Sequence, residues 1–171
     1  MNVYCQLAKD TIENYLEKGE IIKPSTDLPQ EFLEKKAGVF VTIKKDGELR
    51  GCIGTYLPTQ KNIAEEIIYN AIAVAAEDYR FGPVSKEELP HLSYIVYILG
   101  ELELIKDIKE LDPKKYGIIV KTANRTGLLL PGLEGIDATK EQVSIACQKG
   151  GIHPEKEKIT IYRFTVEKYA Q

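Results

Sequence analysis

The sequence has few of the residue types that mark common metal and redox sites. It contains no tryptophan, three cysteines and two histidines in 171 residues. Cys5, Cys52 and Cys147 are too far apart in sequence for a CxxC redox or zinc motif, and their odd number does not fit a disulfide framework. His91 and His153 each stand alone, so a His-rich metal cage cannot be built. We therefore expect a cytoplasmic protein with no metal and no cofactor.

The sequence also lacks a surplus of positive charge and a long apolar run. Lysine and arginine total 23 against 26 aspartate and glutamate, which gives a net charge of -3. Proteins that bind nucleic acid normally carry a basic surface that releases phosphate counterions, so nucleic acid is not an expected partner. No apolar run approaches the ~18 residues of a membrane span, and polar residues interrupt the N-terminal segment too often for a signal peptide. We expect no membrane association.

What is present is the composition of one globular domain. Hydrophobic residues make up 43% and charged residues 29% of the chain, and its length suits a single domain over residues 1–171. Helical periodicity and end signals predict helices near residues 3–18, 28–36, 60–77 and 139–149. Alternating apolar residues predict strands near 39–45, 48–53, 92–99, 117–122, 127–130 and 158–166. Two hairpins among these strands favour an α+β fold with a mostly antiparallel sheet flanked by helices.

The sharpest local feature is the sequence LRGCIGT at residues 49–55. Glycine weakens a strand, so Gly51 and Gly54 indicate positions where backbone or a ligand must come close. Because side chains alternate along a strand, Arg50 and Cys52 share a face, and a guanidinium beside a thiol lowers its pKa. Cys52 is thus a candidate nucleophile with Arg50 as its activator. The alternative is a packed cysteine beside an ordinary surface arginine, and neither histidine is a convincing base.

A second cluster, EDYRFGP, follows the predicted helix at 60–77. Asp78 and Arg80 are candidates for orienting a carboxylate or amide ligand, with Phe81 beside them. An ion pair that only ties the loop down is an equal alternative. Earlier on the same helix, Glu65 or Glu66 is a candidate to face the pocket that Asp78 and Arg80 would line. Most such glutamates are solvated.

Several motifs together resemble the AMMECR-type domain family. They are LRGCIGT at 49–55, the DYRF segment at 78–81, EEL at 87–89, GLLLP at 127–131 and the segment 148–152. Their order and spacing are similar to the prokaryotic branch of the family, the protein A component of the AmmeMemoRadiSam system, over about residues 3–169. The resemblance implies a larger and a smaller lobe, with the LRGCIG strand near a cleft between them.

The resemblance also implies partners and site residues. Prokaryotic members are encoded beside, or fused to, a radical SAM protein and a Memo-type protein. The family's motif places weight on the residues Arg50, Gly51, Cys52, Ile53, Gly54, Asp78, Arg80 and Phe81. Many members have His-Gly before the strand that begins here at residue 117, whereas this chain has Tyr116. A tyrosine can donate a hydrogen bond, but its ordinary pKa near ~10 makes it a poor general base.

Two functions are consistent with these observations. The first is an enzyme, or an enzyme component, that acts on an unidentified small molecule at a cleft near the LRGCIG motif. The second is a noncatalytic protein-binding module that works with radical SAM and Memo-type proteins. In the first, Cys52 reacts and Arg80 positions an anionic group, whereas in the second Cys52 only packs against its neighbours.

Overall fold

The computed structural model describes all residues, Met1–Gln171, and the chain forms two compact units. The first unit contains Met1–Leu99 and Glu167–Gln171, and the second contains Gly100–Val166. The α-helices are α1 (Val3–Lys18), α2 (Gln30–Glu34), α3 (Ile63–Ala76) and α4 (Thr139–Gly150). The strands are β1 (Val39–Lys45), β2 (Glu48–Thr55), β3 (Leu92–Leu99), β4 (Glu103–Leu104), β5 (Gly117–Lys121), β6 (Thr126–Leu129), β7 (Thr160–Phe164) and β8 (Val166–Ala170).

The predicted α+β class is confirmed. One four-stranded sheet has the order β2-β1-β3-β8 and the other has the order β4-β7-β5-β6. Strand β1 pairs antiparallel with β2 and β3, and β7 pairs antiparallel with β4 and β5. The strands therefore divide between two sheets, the first packed against α1 and α3 and the second against α4. None of the helices combines the length and hydrophobicity needed to cross a lipid bilayer.

In the first unit, the β1–β2 hairpin presents one face to helix α3, and α1 packs against α3 and β3. Val39, Val41 and Ile43 alternate along β1 and are fully buried in that core. The hairpin turn is the predicted one, because Asp46 (φ 50°) and Gly47 (φ 88°) supply the left-handed conformation that it needs. Along β2 the LRGCIG motif alternates in the same way, so Ile53 packs against that core while Cys52 lies on the opposite face beside Thr42.

The second unit is built on the predicted β5–β6 hairpin, against which α4 packs. Helix α4 begins one residue earlier than its capping-box pattern predicts, with Ala138 as the N-cap. The Gln142 side chain instead donates to the Tyr116 carbonyl at 2.7 Å. The strand predicted at 158–166 is two strands, β7 and β8, which belong to different sheets.

Candidate functional site

Strand β2 is an edge strand whose outer hydrogen-bonding groups at Cys52 are taken by the loop after α3. The Cys52 N–H donates to Asp78 Oδ2 at 2.9 Å, and the Cys52 carbonyl accepts from Arg80 Nη2 at 2.9 Å. An exposed edge strand offers unpaired backbone groups to other chains. Asp78 and Arg80 thus occupy the position of a neighbouring strand.

Asp78 and Arg80 also bind each other. Arg80 Nε donates to Asp78 Oδ1 at 2.9 Å, and Nη2 donates to Oδ2 at 2.7 Å. The Asp78 side chain is only 2% exposed. The Arg80 guanidinium, assisted by the Cys52 N–H, lowers the pKa of Asp78, so this carboxylate is ionised at neutral pH. Of the two alternatives for this pair, the structure contains the ion pair that ties the loop down.

The Arg50 guanidinium points to the segment that follows this loop. It donates from Nε and Nη2 to the Glu88 carboxylate at 2.8 and 3.0 Å, and to the carbonyls of Gly82 and Pro83 at 3.1 Å each. The two charged side chains are 13% and 14% exposed. Arg50, followed by the Ser85 N–H and Lys45, lowers the pKa of Glu88 to about 2. Arg50 therefore fastens residues 82–88 to β2, and no hydrogen bond joins it to the Cys52 sulfur.

The Cys52 thiol is half-buried and has a hydroxyl neighbour. Thr42 Oγ1 donates to Cys52 Sγ at 3.1 Å. The histidine of the first unit, His91, lies at the hairpin turn, where Nδ1 is 3.0 Å from Asp46 Oδ1. Cys52 is about 15 Å further along β2 at the ~3.3 Å rise of a strand residue. No histidine of the first unit can therefore act as a base on this thiol.

The two glycines of the motif are explained by close packing. A Cβ atom on Gly51 would lie 2.8 Å from a methyl group of Val74 on α3. A Cβ atom on Gly54 would overlap the Phe40 ring and the Val39 carbonyl on the neighbouring strand. Close packing within the chain, by Val74 of α3 at Gly51 and by strand β1 at Gly54, is therefore sufficient to explain both glycines.

Glu66 is a buried carboxylate and is not solvated, as most glutamates at such positions are. It is fully buried and accepts four hydrogen bonds of 2.6 to 2.8 Å, donated by the Thr55 hydroxyl, the Thr59 hydroxyl and the Thr59 and Gln60 N–H groups. Helix α3 begins at Ile63 and not near residue 60, because Asn62 is extended and its side chain accepts from the Glu65 N–H as the N-cap. In the sequence, the signal for this burial is that Glu66 lies three residues after Ile63 and next to Ile67, on the face of α3 that is buried.

The predicted site residues divide between the two units. Those in the first unit are Arg50, Gly51, Cys52, Gly54, Asp78, Arg80 and Phe81, whereas Tyr116 belongs to the second unit. The Tyr116 ring lies 4.4 Å from the Arg163 guanidinium and 5.0 Å from the Lys115 ammonium. These contacts are cation–π interactions, and the hydroxyl group takes no part in them.

No group of three or more His, Cys, Asp or Glu side chains is arranged to hold a metal ion.

A cavity of about 630 Å³ opens in the first unit between residues 21–24 and the N-terminal half of α3. Its lining includes Lys23, Ile68 and Tyr69 but not Cys52. The contacts around Cys52 are the hydrogen bonds of its backbone with Asp78 and Arg80 and of its sulfur with Thr42, and they lie outside this cavity.

Comparisons with known proteins agree with the sequence motifs. The AMMECR1 family model matches residues 5–169. A Thermotoga maritima protein is 52% identical over 97% of this chain and 96% of its own length. A Clostridium acetobutylicum protein is 45% identical over 98% of this chain, which spans 36% of that longer protein. The crystal structure of an uncharacterised Pyrococcus horikoshii protein matches with a TM-score of 0.91 and 35% identity, covering 98% of this chain and 89% of the other.

Proposed function

Because this chain belongs to the AMMECR1 family, we propose that it is a noncatalytic protein-binding module. The LRGCIG strand of such a module is a structural element that holds a binding surface in place. The candidate partners are the radical SAM and Memo-type proteins that the sequence motifs imply. This is the second of the two functions drawn from the sequence.

The proposal is supported chiefly by how the charged groups around Cys52 are used. Arg50 binds Glu88 and two carbonyls, and Arg80 binds Asp78 and the Cys52 carbonyl. A catalytic cation or carboxylate must be able to contact the substrate. Most donors of both guanidiniums are instead bonded within the chain, which suits a structural role.

The hydrogen bonding of the thiol supports the same function. A cysteine nucleophile needs a neighbouring base or a strongly stabilised thiolate. The Cys52 sulfur has the Thr42 hydroxyl as its hydrogen-bond neighbour. A hydroxyl group does not accept a thiol proton at neutral pH, so Cys52 has the environment of a packed residue.

A Cys52→Ser variant tests this function. We expect it to bind the radical SAM or Memo-type protein of the same organism as tightly as the wild type does, measured by isothermal titration calorimetry. When expressed in a strain that lacks the gene, it should also restore the wild-type phenotype. Cys147→Ser is the matched control, because Cys147 is a buried cysteine of the second unit. A Cys52→Ser protein that binds its partner but loses all cellular function would contradict the proposal.

The partial exposure of Cys52 favours a second candidate, an enzyme acting on a small molecule at a cleft near the motif. Cys52 is the one cysteine of the three that is not buried, and its sulfur accepts a hydrogen bond from the Thr42 hydroxyl. The alkylation rate of native protein as a function of pH tests this candidate. A midpoint well below the ~8.5 of an ordinary cysteine supports a nucleophile, and an inert thiol removes that role.

A further inference from the structure

We infer that residues 79–81 are the point at which a partner protein docks, with Tyr79 and Phe81 entering apolar pockets of the partner and Arg80 meeting an acceptor oxygen at their rim. This inference rests on the proposed function and assigns the binding surface. We call residues 78–83 the docking loop.

The docking loop exposes two aromatic side chains with an arginine between them. Tyr79 is 93% exposed and Phe81 is 38% exposed, and the Arg80 side chain between them is 46% exposed. Tyrosine and arginine are enriched among the residues that supply most of the binding free energy at protein interfaces. The three adjacent side chains therefore have the composition of an interface centre.

The docking loop is also held in one conformation. Asp78 accepts from the Cys52 N–H through its side chain, and its carbonyl accepts from the Phe81 and Gly82 N–H groups at 3.1 and 3.0 Å. Gly82 adopts φ 72°, a left-handed conformation that glycine reaches at little cost. Arg50 then binds the Gly82 carbonyl. A loop fixed before binding loses less conformational entropy on association.

Arg80 retains hydrogen-bonding capacity for a partner. A guanidinium has five N–H donors, and within the chain Arg80 uses Nε for Asp78 and Nη2 for Asp78 and Cys52. Its Nη1 group makes no hydrogen bond in the chain, and the guanidinium carbon lies 5.3 Å from the centre of the Phe81 ring. The free Nη1 donors and the ring fit an apolar pocket with a carbonyl or carboxylate oxygen at its edge.

The charge near the docking loop favours a protein over a membrane surface. Asp78 neutralises Arg80, and Glu77 and Glu87 are exposed nearby in sequence. Binding of aromatic loops to anionic lipid is normally assisted by clustered lysine and arginine. The docking loop has no such cluster, because the one exposed lysine beside it, Lys86, is outnumbered by Glu77 and Glu87, and this charge disfavours an anionic lipid surface.

A Tyr79→Ala variant tests the inference with little risk to folding, because the side chain is almost fully exposed. We expect at least a roughly 30-fold weaker affinity for the radical SAM or Memo-type partner by titration calorimetry, the loss typical of an interface centre. Tyr69→Ala is the matched control, since Tyr69 is a half-exposed tyrosine on α3 of the same unit. It should bind as the wild type does.

The possible results separate the two proposals. Partner binding that is unchanged in Tyr79→Ala overturns the docking inference and leaves the proposed function intact. Wild-type protein that binds neither partner overturns both. Wild-type binding to vesicles containing phosphatidylserine that Tyr79→Ala abolishes would replace the protein partner with a membrane and overturn the inference.

Discussion

Replacement of Glu88 with glutamine tests whether Arg50 is a structural cation. Glu88 accepts from Arg50 Nε at 2.8 Å and from the Ser85 N–H at 3.0 Å, and it pairs with Lys45 at 3.2 Å. These contacts, led by Arg50, lower the pKa of Glu88 to about 2. Measured against the ~4.3 of an ordinary glutamate, that difference corresponds to about 3 kcal/mol at most. Partial solvent screening reduces the expected contribution to roughly 2 kcal/mol.

The sign of the pH dependence follows from the lowered pKa. The stabilisation from Glu88 is fully present above the unfolded-state pKa and is lost as the pH falls toward about 2. We expect Glu88→Gln to reduce the free energy of unfolding by about 2 kcal/mol at pH 7 and by much less near pH 2. Urea unfolding followed by far-UV circular dichroism at both pH values measures this difference.

A surface pair in the same unit is the control for Glu88. Glu13 pairs with Lys9 at 3.7 Å on the outer face of α1, with both side chains about one third exposed. Glu13→Gln should change the free energy of unfolding by no more than about 0.5 kcal/mol. An equal loss for Glu88→Gln at both pH values, or a loss no larger than that of Glu13→Gln, would refute a structural role for the Arg50–Glu88 pair.

Three further substitutions test the packing of the two units, each by urea or thermal unfolding. Gly54→Ala forces a Cβ atom into Phe40 and should cost about 1 to 3 kcal/mol; an unchanged stability would contradict the close-packing explanation of the motif. Glu66→Gln replaces a fully buried carboxylate that accepts four hydrogen bonds and should cost about 3 kcal/mol, whereas a loss under about 1 kcal/mol would mean that the hydrogen bonds are weak. Gly127→Ala overlaps the Ala146 carbonyl of α4 and should destabilise the second unit by about 2 kcal/mol or more, a prediction that fails if the melting temperature is unchanged.

Local signals in the sequence predict most of the secondary structure. The β1–β2 turn needs only Asp46 and Gly47 to adopt positive φ, and helix α1 ends where Gly19 adopts φ 71°. Both features depend on residues only a few positions apart, so periodicity and turn chemistry are sufficient to predict them. The α+β class follows from the same local patterns.

Contacts between distant residues explain what the sequence did not predict. Cys52 and Asp78 are 26 positions apart, and nothing in either segment indicates that a carboxylate would satisfy the strand edge. Arg50 was predicted to act on the thiol because the two share a strand face, but its partner Glu88 lies 38 positions away. The late start of α3 is instead a local feature, because Asn62 caps the helix through the Glu65 N–H.

The central claim is that the LRGCIG strand holds the docking loop, and amide hydrogen exchange at Cys52 tests it most directly. In Asp78→Ala protein the Cys52 N–H loses its carboxylate acceptor, so its exchange should accelerate about 10- to 100-fold relative to the wild type. The Val41 amide, within the buried part of β1, is the internal reference for global unfolding. A Cys52 amide that exchanges at the wild-type rate in Asp78→Ala would contradict the account.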